Sequence, residues 1–167
     1  LLHGTNEQAV NVFACFDNEE VGSGTKQGAA STLLSDVLCR INKALGKDEE
    51  DFYRAVAGSF MLSCDNAHAV HPNYQQTDVN NCNYMNEGIV IKSHAGQKYT
   101  SDAVSIAIFK AICEKAGVPV QFFANRSDAA GGSTLGNIAM AQVSMNTVDI
   151  GLPQLAMHSA YETSGVK

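Results

Sequence analysis

Apolar positions along the chain follow two spacings, one suited to strands and one to helices. AVNVFACF (9–16) is β-branched and apolar apart from Asn11, which predicts a buried strand. In GAASTLLSDVLCRINKAL (28–45), Leu33, Leu34, Val37, Leu38, Ile41 and Leu45 recur at helical spacing, and Gly46 follows as a stop. DEEDFYRAVAG (48–58) predicts a short helix with acidic residues in its first turn, where they face the positive end of the helix dipole. SFMLSCD (59–65) predicts a strand ending at Asp65, and EGIVIKSH (87–94) predicts another. SDAVSIAIFKAICEKAG (101–117) predicts a helix capped by Ser101, with Val104, Ile108, Ala111 and Ile112 on one face. VPVQFFA (118–124) and NTVDIG (146–151) predict further strands, with the small-residue helix STLGNIAMAQ (133–142) between them. Strands separated by helices of this length predict an α/β fold, a three-layer α/β/α sandwich on a largely parallel or mixed sheet. No repeat, low-complexity stretch or linker divides the chain, so residues 1–167 read as one segment.

Composition narrows the classes of function. With 45% hydrophobic and 17% charged residues the chain can bury a core. A net charge of −6 argues against nucleic acid or an anionic membrane surface as partner. No apolar run reaches the roughly 18 residues of a spanning helix, and no signal peptide opens the sequence. Cys15, Cys39, Cys64, Cys82 and Cys113 are scattered without a C-x-x-C pair. That pattern predicts reduced, mostly buried thiols in a cytoplasmic protein.

The candidate chemistry lies where the predicted strands end, the place at which open α/β sheets collect ligands. Asp17, Glu19 and Glu20 follow the first strand, Asp65 another, Asp128 a third, and His158 lies beyond a fourth. Carboxylates and an imidazole are the donors that zinc takes, and a carboxylate that is not a ligand can take a proton from water. A Glu-Glu pair suits that division of labour, although most such dipeptides are solvated surface charge; the apolar run before it and the Gly-Ser-Gly after it shift the balance. His68 and His71, spaced i, i+3 beside Asp65, fit either hydrogen bonding or metal ligation. In DAAGGST (128–134), the glycines leave backbone N–H groups open to an anion; an ordinary turn with Ser133 or Thr134 as helix cap fits as well. His3 and His94 carry no motif.

Four motifs taken together, FDNEEVGSGTKQGA, SCDNAHAVHPNY, RSDAAGGSTLGNI and VDIGLPQLAMHSAYE, resemble the aspartyl aminopeptidase family of zinc metallopeptidases in order and spacing, across essentially the whole chain. The resemblance implies a zinc-dependent aminopeptidase that releases N-terminal residues, Asp or Glu among them, from peptides through metal-activated water. By resemblance Glu19 is the general base, and Glu20, Asp65 and His158 are metal ligands. His68 is implied near the developing oxyanion, and Glu162 as a support for the His158 imidazole. Gly131 and Gly132 are implied against the substrate, Asp128 at its α-ammonium group, and Lys92 at an acidic side chain. Two zinc ions per site are implied, with manganese or cobalt as possible substitutes, in a protein that forms homo-oligomers.

The sequence also departs from the family pattern. Two of the family's five ligands, a histidine and a bridging aspartate, lie upstream of D-N-E-E, and residues 1–16 resemble neither motif. The family's dimerisation domain has no counterpart either. The expectation is therefore the C-terminal part of a catalytic domain, inactive by itself. Lys98 stands where many members have arginine, and Ala160 and Tyr161 where many have an Ile-Arg pair, which bears on acidic preference. The alternatives are another two-metal hydrolase on the same scaffold, such as a broad aminopeptidase or a deacylase, and an inactive segment serving only in assembly.

Overall fold

The computed structural model describes residues 8–73, 81–126, 128 and 130–166. In chain order the strands are β1 (Phe60–Cys64), β2 (Ala67–His68), β3 (Ile89–Ser93), β4 (Val120–Ala124), β5 (Asn146–Gly151), β6 (Pro153–Leu155) and β7 (Thr163–Ser164). The helices are α1 (Leu33–Ala44), α2 (Glu49–Ala57), α3 (Ala103–Ala116) and α4 (Leu135–Ala139). The main sheet has the order β1-β5-β3-β4, and a small one joins β2, β6 and β7. β1 runs parallel to β5 and β3 parallel to β4, while β3 and β5 are antiparallel. The sheet is mixed, as the helix-and-strand alternation allows.

Side chains alternate across a strand, so each strand serves two cores. On one face Ile91, Val148 and Ile150 pack with Phe109 and Cys113 of α3, and Phe60 joins them. On the other, Leu34 of α1, Ala139 of α4 and Val143 pack together, and Met61 joins those. Phe60 and Met61 are neighbours in sequence but enter opposite cores, which is what helices on both faces of a sheet require.

Several local expectations change. Residues 9–16 form no strand, and Phe13 stays 77% exposed. A strand needs a neighbour to take its backbone N–H and C=O groups, and among the described residues none pairs with this run. Residues 28–32 are turns rather than the start of α1, and Leu33 and Val37 stay exposed. In α3 the inward stripe is Ser105, Phe109 and Cys113, while Val104, Ile108 and Ile112 face outward. That helix is apolar nearly all round, so periodicity could not choose its face. Its cap is Asp102, whose carboxylate accepts from the Ser105 N–H at 2.8 Å. Ser101 instead turns its hydroxyl to the Asp149 N–H. Only Cys113 among the cysteines is buried, and Cys15, Cys39 and Cys64 are exposed. His3 lies outside the described residues.

Candidate active site

Glu19 and Glu20 begin a single 3-10 turn, Glu19–Val21, set up by the left-handed Asn18 (φ 59°). Asp17 does not join them. Its two carboxylate oxygens accept from the Asn18 N–H and the Gln27 amide, which ties the turn to the loop that follows. Glu20 meets His158 across the fold, with Oε2 and Nε2 2.9 Å apart. His158 itself sits at φ 68° and Ala156 at φ 55°, left-handed values that non-glycine residues rarely adopt. The Glu162 carboxylate accepts from the His158 backbone N–H. It therefore holds the main chain rather than the imidazole, a correction to its expected role.

Asp65 is placed by a crossing of two backbones. Its N–H donates to the Ile150 carbonyl at 3.0 Å, and Ala67 N–H to the Leu152 carbonyl at 2.9 Å. These bonds carry the β1–β5 ladder past the strand end. Between them a Cβ on Gly151 would stand only 2.0 Å from the Asp65 carbonyl oxygen. Glycine is required there by space rather than by φ. A groove of about 350 Å³ opens at this point, lined by Cys64, Asp65, Asn66 and Gly151 among others.

Lys92, expected at an acidic substrate side chain, is buried at 2% exposure. Its ammonium donates to the Asn66 carbonyl at 3.2 Å and lies 3.5 Å from Asp65 Oδ2. It also sits 5.4 Å from the centre of the Tyr99 ring. A buried lysine needs such partners.

Electrostatics link these groups into one cluster. Desolvation raises the Glu19 carboxyl above the ordinary range, and the charges of Asp65 and Glu20 raise it further, against His158 and Lys92. The His68 ring is accessible at the surface, yet desolvation first, then Lys92 and His158, lowers its pKa, with Asp65 opposing. Glu19, Glu20, Asp65, His68, Lys92 and His158 thus share one neighbourhood. Asp128 is engaged elsewhere: Arg126 grips both its oxygens, at 3.0 and 2.6 Å, and holds its carboxyl below the usual range.

Gly131 is wedged against His94, and a Cβ there would stand 2.8 Å from His94 Nε2. His94 Nδ1 accepts from the Gly96 N–H at 2.8 Å, and its ring meets Tyr99 edge-on at 6.0 Å. Sequence reasoning gave His94 no role and passed over Tyr99. Their one signal was position, in the stretch that follows β3. Thr134 occupies the cap position of α4, but its hydroxyl donates to Asp149 instead of capping the helix.

Glu20, Asp65 and His158 offer the oxygen and nitrogen donors that zinc takes, and two of them already touch. Among the described residues, no three His, Cys, Asp or Glu side chains converge closely enough to hold an ion. Glu20 and His158 make a carboxylate–imidazole pair of the kind zinc takes, and Asp65 does not close a three-donor set with them.

Comparison with known proteins decides what this geometry belongs to. The chain matches the family described as "Aminopeptidase I zinc metalloprotease (M18)" over residues 2–167. It belongs to the M18 family. It is 54% identical over 166 residues to "Probable M18 family aminopeptidase 2" of Clostridium acetobutylicum, covering 99% of this chain and 38% of that protein. It is 44% identical over 163 residues to "Aspartyl aminopeptidase 1" of Schizosaccharomyces pombe, covering 97% of this chain and 34% of that one. Among solved structures, yeast aminopeptidase 1 (Ape1) superposes with a TM-score of 0.79 at 32% identity, over 90% of this chain and 33% of that one. A further match, from the Ape4 and Nbr1 complex, reaches a TM-score of 0.85 at 44% identity, over 88% of this chain and 28% of that chain. This M18 chain therefore spans little more than a third of the curated relatives it matches. No helix among the described residues is long and apolar enough to cross a membrane.

Proposed function

We propose that these residues form part of the active site of a zinc aminopeptidase acting on peptides. The observation that carries the reading is the convergence of Glu19, Glu20, Asp65 and His158 from separate stretches, with Glu20 and His158 in contact at 2.9 Å. Glu20, Asp65 and His158 would hold metal, two ions per site with manganese or cobalt as substitutes, and residues outside this stretch of chain would complete the set. Bound zinc supplies Lewis acidity at the scissile carbonyl. Glu19, which the assigned ligands leave free, takes the proton of the attacking water on a carboxylate oxygen and returns it to the departing amine. His68, kept neutral by its surroundings, donates toward the carbonyl oxygen as charge gathers there.

The Gly131–Gly132 loop binds the peptide. Asp128 reaches the α-ammonium group only by releasing Arg126. Lys92 draws in an acidic first residue, through an ammonium that it shares with Asp65. The relatives named as aspartyl aminopeptidases support that preference. A relative solved as a dodecamer supports a homo-oligomer, and the dispersed free thiols support a cytoplasmic setting.

Leucyl and aspartyl p-nitroanilides, offered to the full-length parent with zinc, manganese or cobalt, test the reading. Hydrolysis of the aspartyl substrate in preference is expected. Hydrolysis of neither under any metal would remove the aminopeptidase assignment.

A further inference from the structure

Asp149 has no part in the chemistry above, yet it is fully buried. A buried carboxylate is costly unless its oxygens are satisfied, so its partners indicate its purpose. Oδ1 accepts from the Thr134 hydroxyl at 2.7 Å, and Oδ2 accepts from the Thr100 N–H. The Asp149 N–H donates to Ser101 Oγ at 2.9 Å. These partners come from two loops far apart in sequence, one leading into α3 and the other into α4. No described cation lies within salt-bridge distance of the carboxylate. Continuing the β3–β5 register one step past Ile91 and Ile150 sets Lys92 opposite Asp149, on the same sheet face.

Each loop carries a residue next to the site. Tyr99, beside Thr100, lies under the Lys92 ammonium and against the His94 ring. Gly131, close to Thr134, also lies against His94, near its Nε2. Lys92, Tyr99, His94 and Gly131 thus form a chain of contacts, and both loops that supply it are tied to one carboxylate. The first turn of α4 cannot slide away from it either. Gly136 N–H donates to Ser63 Oγ at 2.9 Å, and a Cβ on Gly136 would stand 2.9 Å from Asp149 Oδ1.

We propose that Asp149 is a positioning residue that sets the spacing between the Lys92–Tyr99 side and the Gly131–Thr134 side of the substrate pocket. The inference deepens the aminopeptidase reading and rests on it. Asp149 acts on substrate binding through the two loops, not on the metal or on the water.

The test uses the full-length parent with Asp149→Asn, Thr134→Val and Thr134→Ser. Losing a hydrogen bond to a carboxylate loosens one loop, so KM of Asp149→Asn and Thr134→Val should rise about five- to thirtyfold. Their kcat should stay within about twofold and bound metal should not change, because the reacting groups are untouched. Thr134→Ser keeps the hydroxyl and should restore KM. Backbone amides from Gly131 to Leu135, and that of Thr100, should exchange faster in the two impaired variants. Thr134→Val keeps the test decisive if Asp149→Asn does not fold. A wild-type parent without peptidase activity would sink the underlying reading. An active wild type whose variants lose only thermal stability, lose metal together with kcat, or gain nothing from the serine would overturn the role of Asp149.

Discussion

Gly151→Ala tests how Asp65 is held. The added Cβ would stand 2.0 Å from the Asp65 carbonyl oxygen and 2.9 Å from the Ala67 nitrogen, both backbone atoms that cannot swing aside. Ordinary non-bonded separations are about 3.5 Å, so the two backbones must part by roughly 1.5 Å. That motion stretches the bonds from Asp65 N–H to Ile150 and from Ala67 N–H to Leu152. Each is worth about 1 kcal/mol net. Overpacking adds about 1–3 kcal/mol, for a total loss of about 3–5 kcal/mol. Urea unfolding of the full-length parent and its Gly151→Ala variant reads this as a lower midpoint at an unchanged slope. Function should suffer more than stability. A displacement of 1 Å or more at a reacting centre costs on the order of 10²-fold in rate, and Asp65 moves with its own carbonyl. Metal content by elemental analysis should fall with kcat. A Gly151→Ala variant with the wild-type midpoint and full metal would refute the crossing as the element that places Asp65.

Glu19→Gln in the parent should keep its metal and lose about 10²–10⁴ in kcat, because only the proton acceptor is removed. Glu20→Ala and His158→Ala should each lose metal on dialysis, and metal retained in both would show that the ligands are wrongly assigned. Stripping the parent with a chelator should lower its melting temperature, and added zinc should restore it, since an ion that binds only the folded state stabilises that state; equal stability with and without zinc would count against a built metal centre. Asp102→Ala should cost about 1 kcal/mol near pH 7 by removing the α3 cap. The Ser105 N–H holds the folded Asp102 carboxyl below its ordinary 3.8. The cap's contribution is therefore full above the unfolded pKa and lost as pH falls through the folded value. Denaturation curves of both proteins should converge in acid, and a constant gap down to pH about 2 would contradict the cap.

Much of the scaffold was legible because local rules and fold agree there. Asp48 ahead of Glu49, Glu50 and Asp51 announces a capped helix, and α2 has the full capping box. Leu62 and Val148, and Ile91 and Val120, lie in runs whose β-branched and apolar content suits strands, and all fall in the main sheet. What failed did so for want of a neighbour or of contrast. Residues 9–16 carry every strand preference but pair with nothing described. In α3, Val104 and Phe109 are equally apolar, so only the packed fold reveals which one faces β5. The two-residue β2 and β7 are too short to leave a period. The site was legible as residue types after predicted strands, which brought Glu19, Glu20, Asp65 and His158 forward. Asp65 does follow β1, whereas among the described residues no strand precedes Glu19 and Glu20. Their partners were not: Lys92 folding inward onto Asp65, Glu162 holding a backbone N–H, and His94 against Gly131 are contacts between segments that no spacing reports.

Several departures from local preference lie beside the assigned site residues, and this bears on whether the chain is catalytic or only a packing piece. Asn18, Ala156 and His158 take left-handed backbone next to the residues assigned to metal and water. Lys92 and Asp149 carry charge into the interior on adjoining strands of one sheet face. Gly151 gives up a side chain so that Asp65 can be brought over β5. Each feature costs stability on the order of 1 kcal/mol or more. A segment needed only for assembly gains nothing from them, and substitutions that relieve them are simple: glycine at Ala156, an apolar residue at Lys92. Away from the site, α2 and α3 follow the helix rules from cap to stop. Left-handed backbone also occurs at Ser23, Asn86 and Gln97, so the weight falls on the buried charges and the Asp65–Gly151 crossing beside Glu20 and His158. Features of that kind are expected of a functional centre, and they favour the peptidase reading over an inert one.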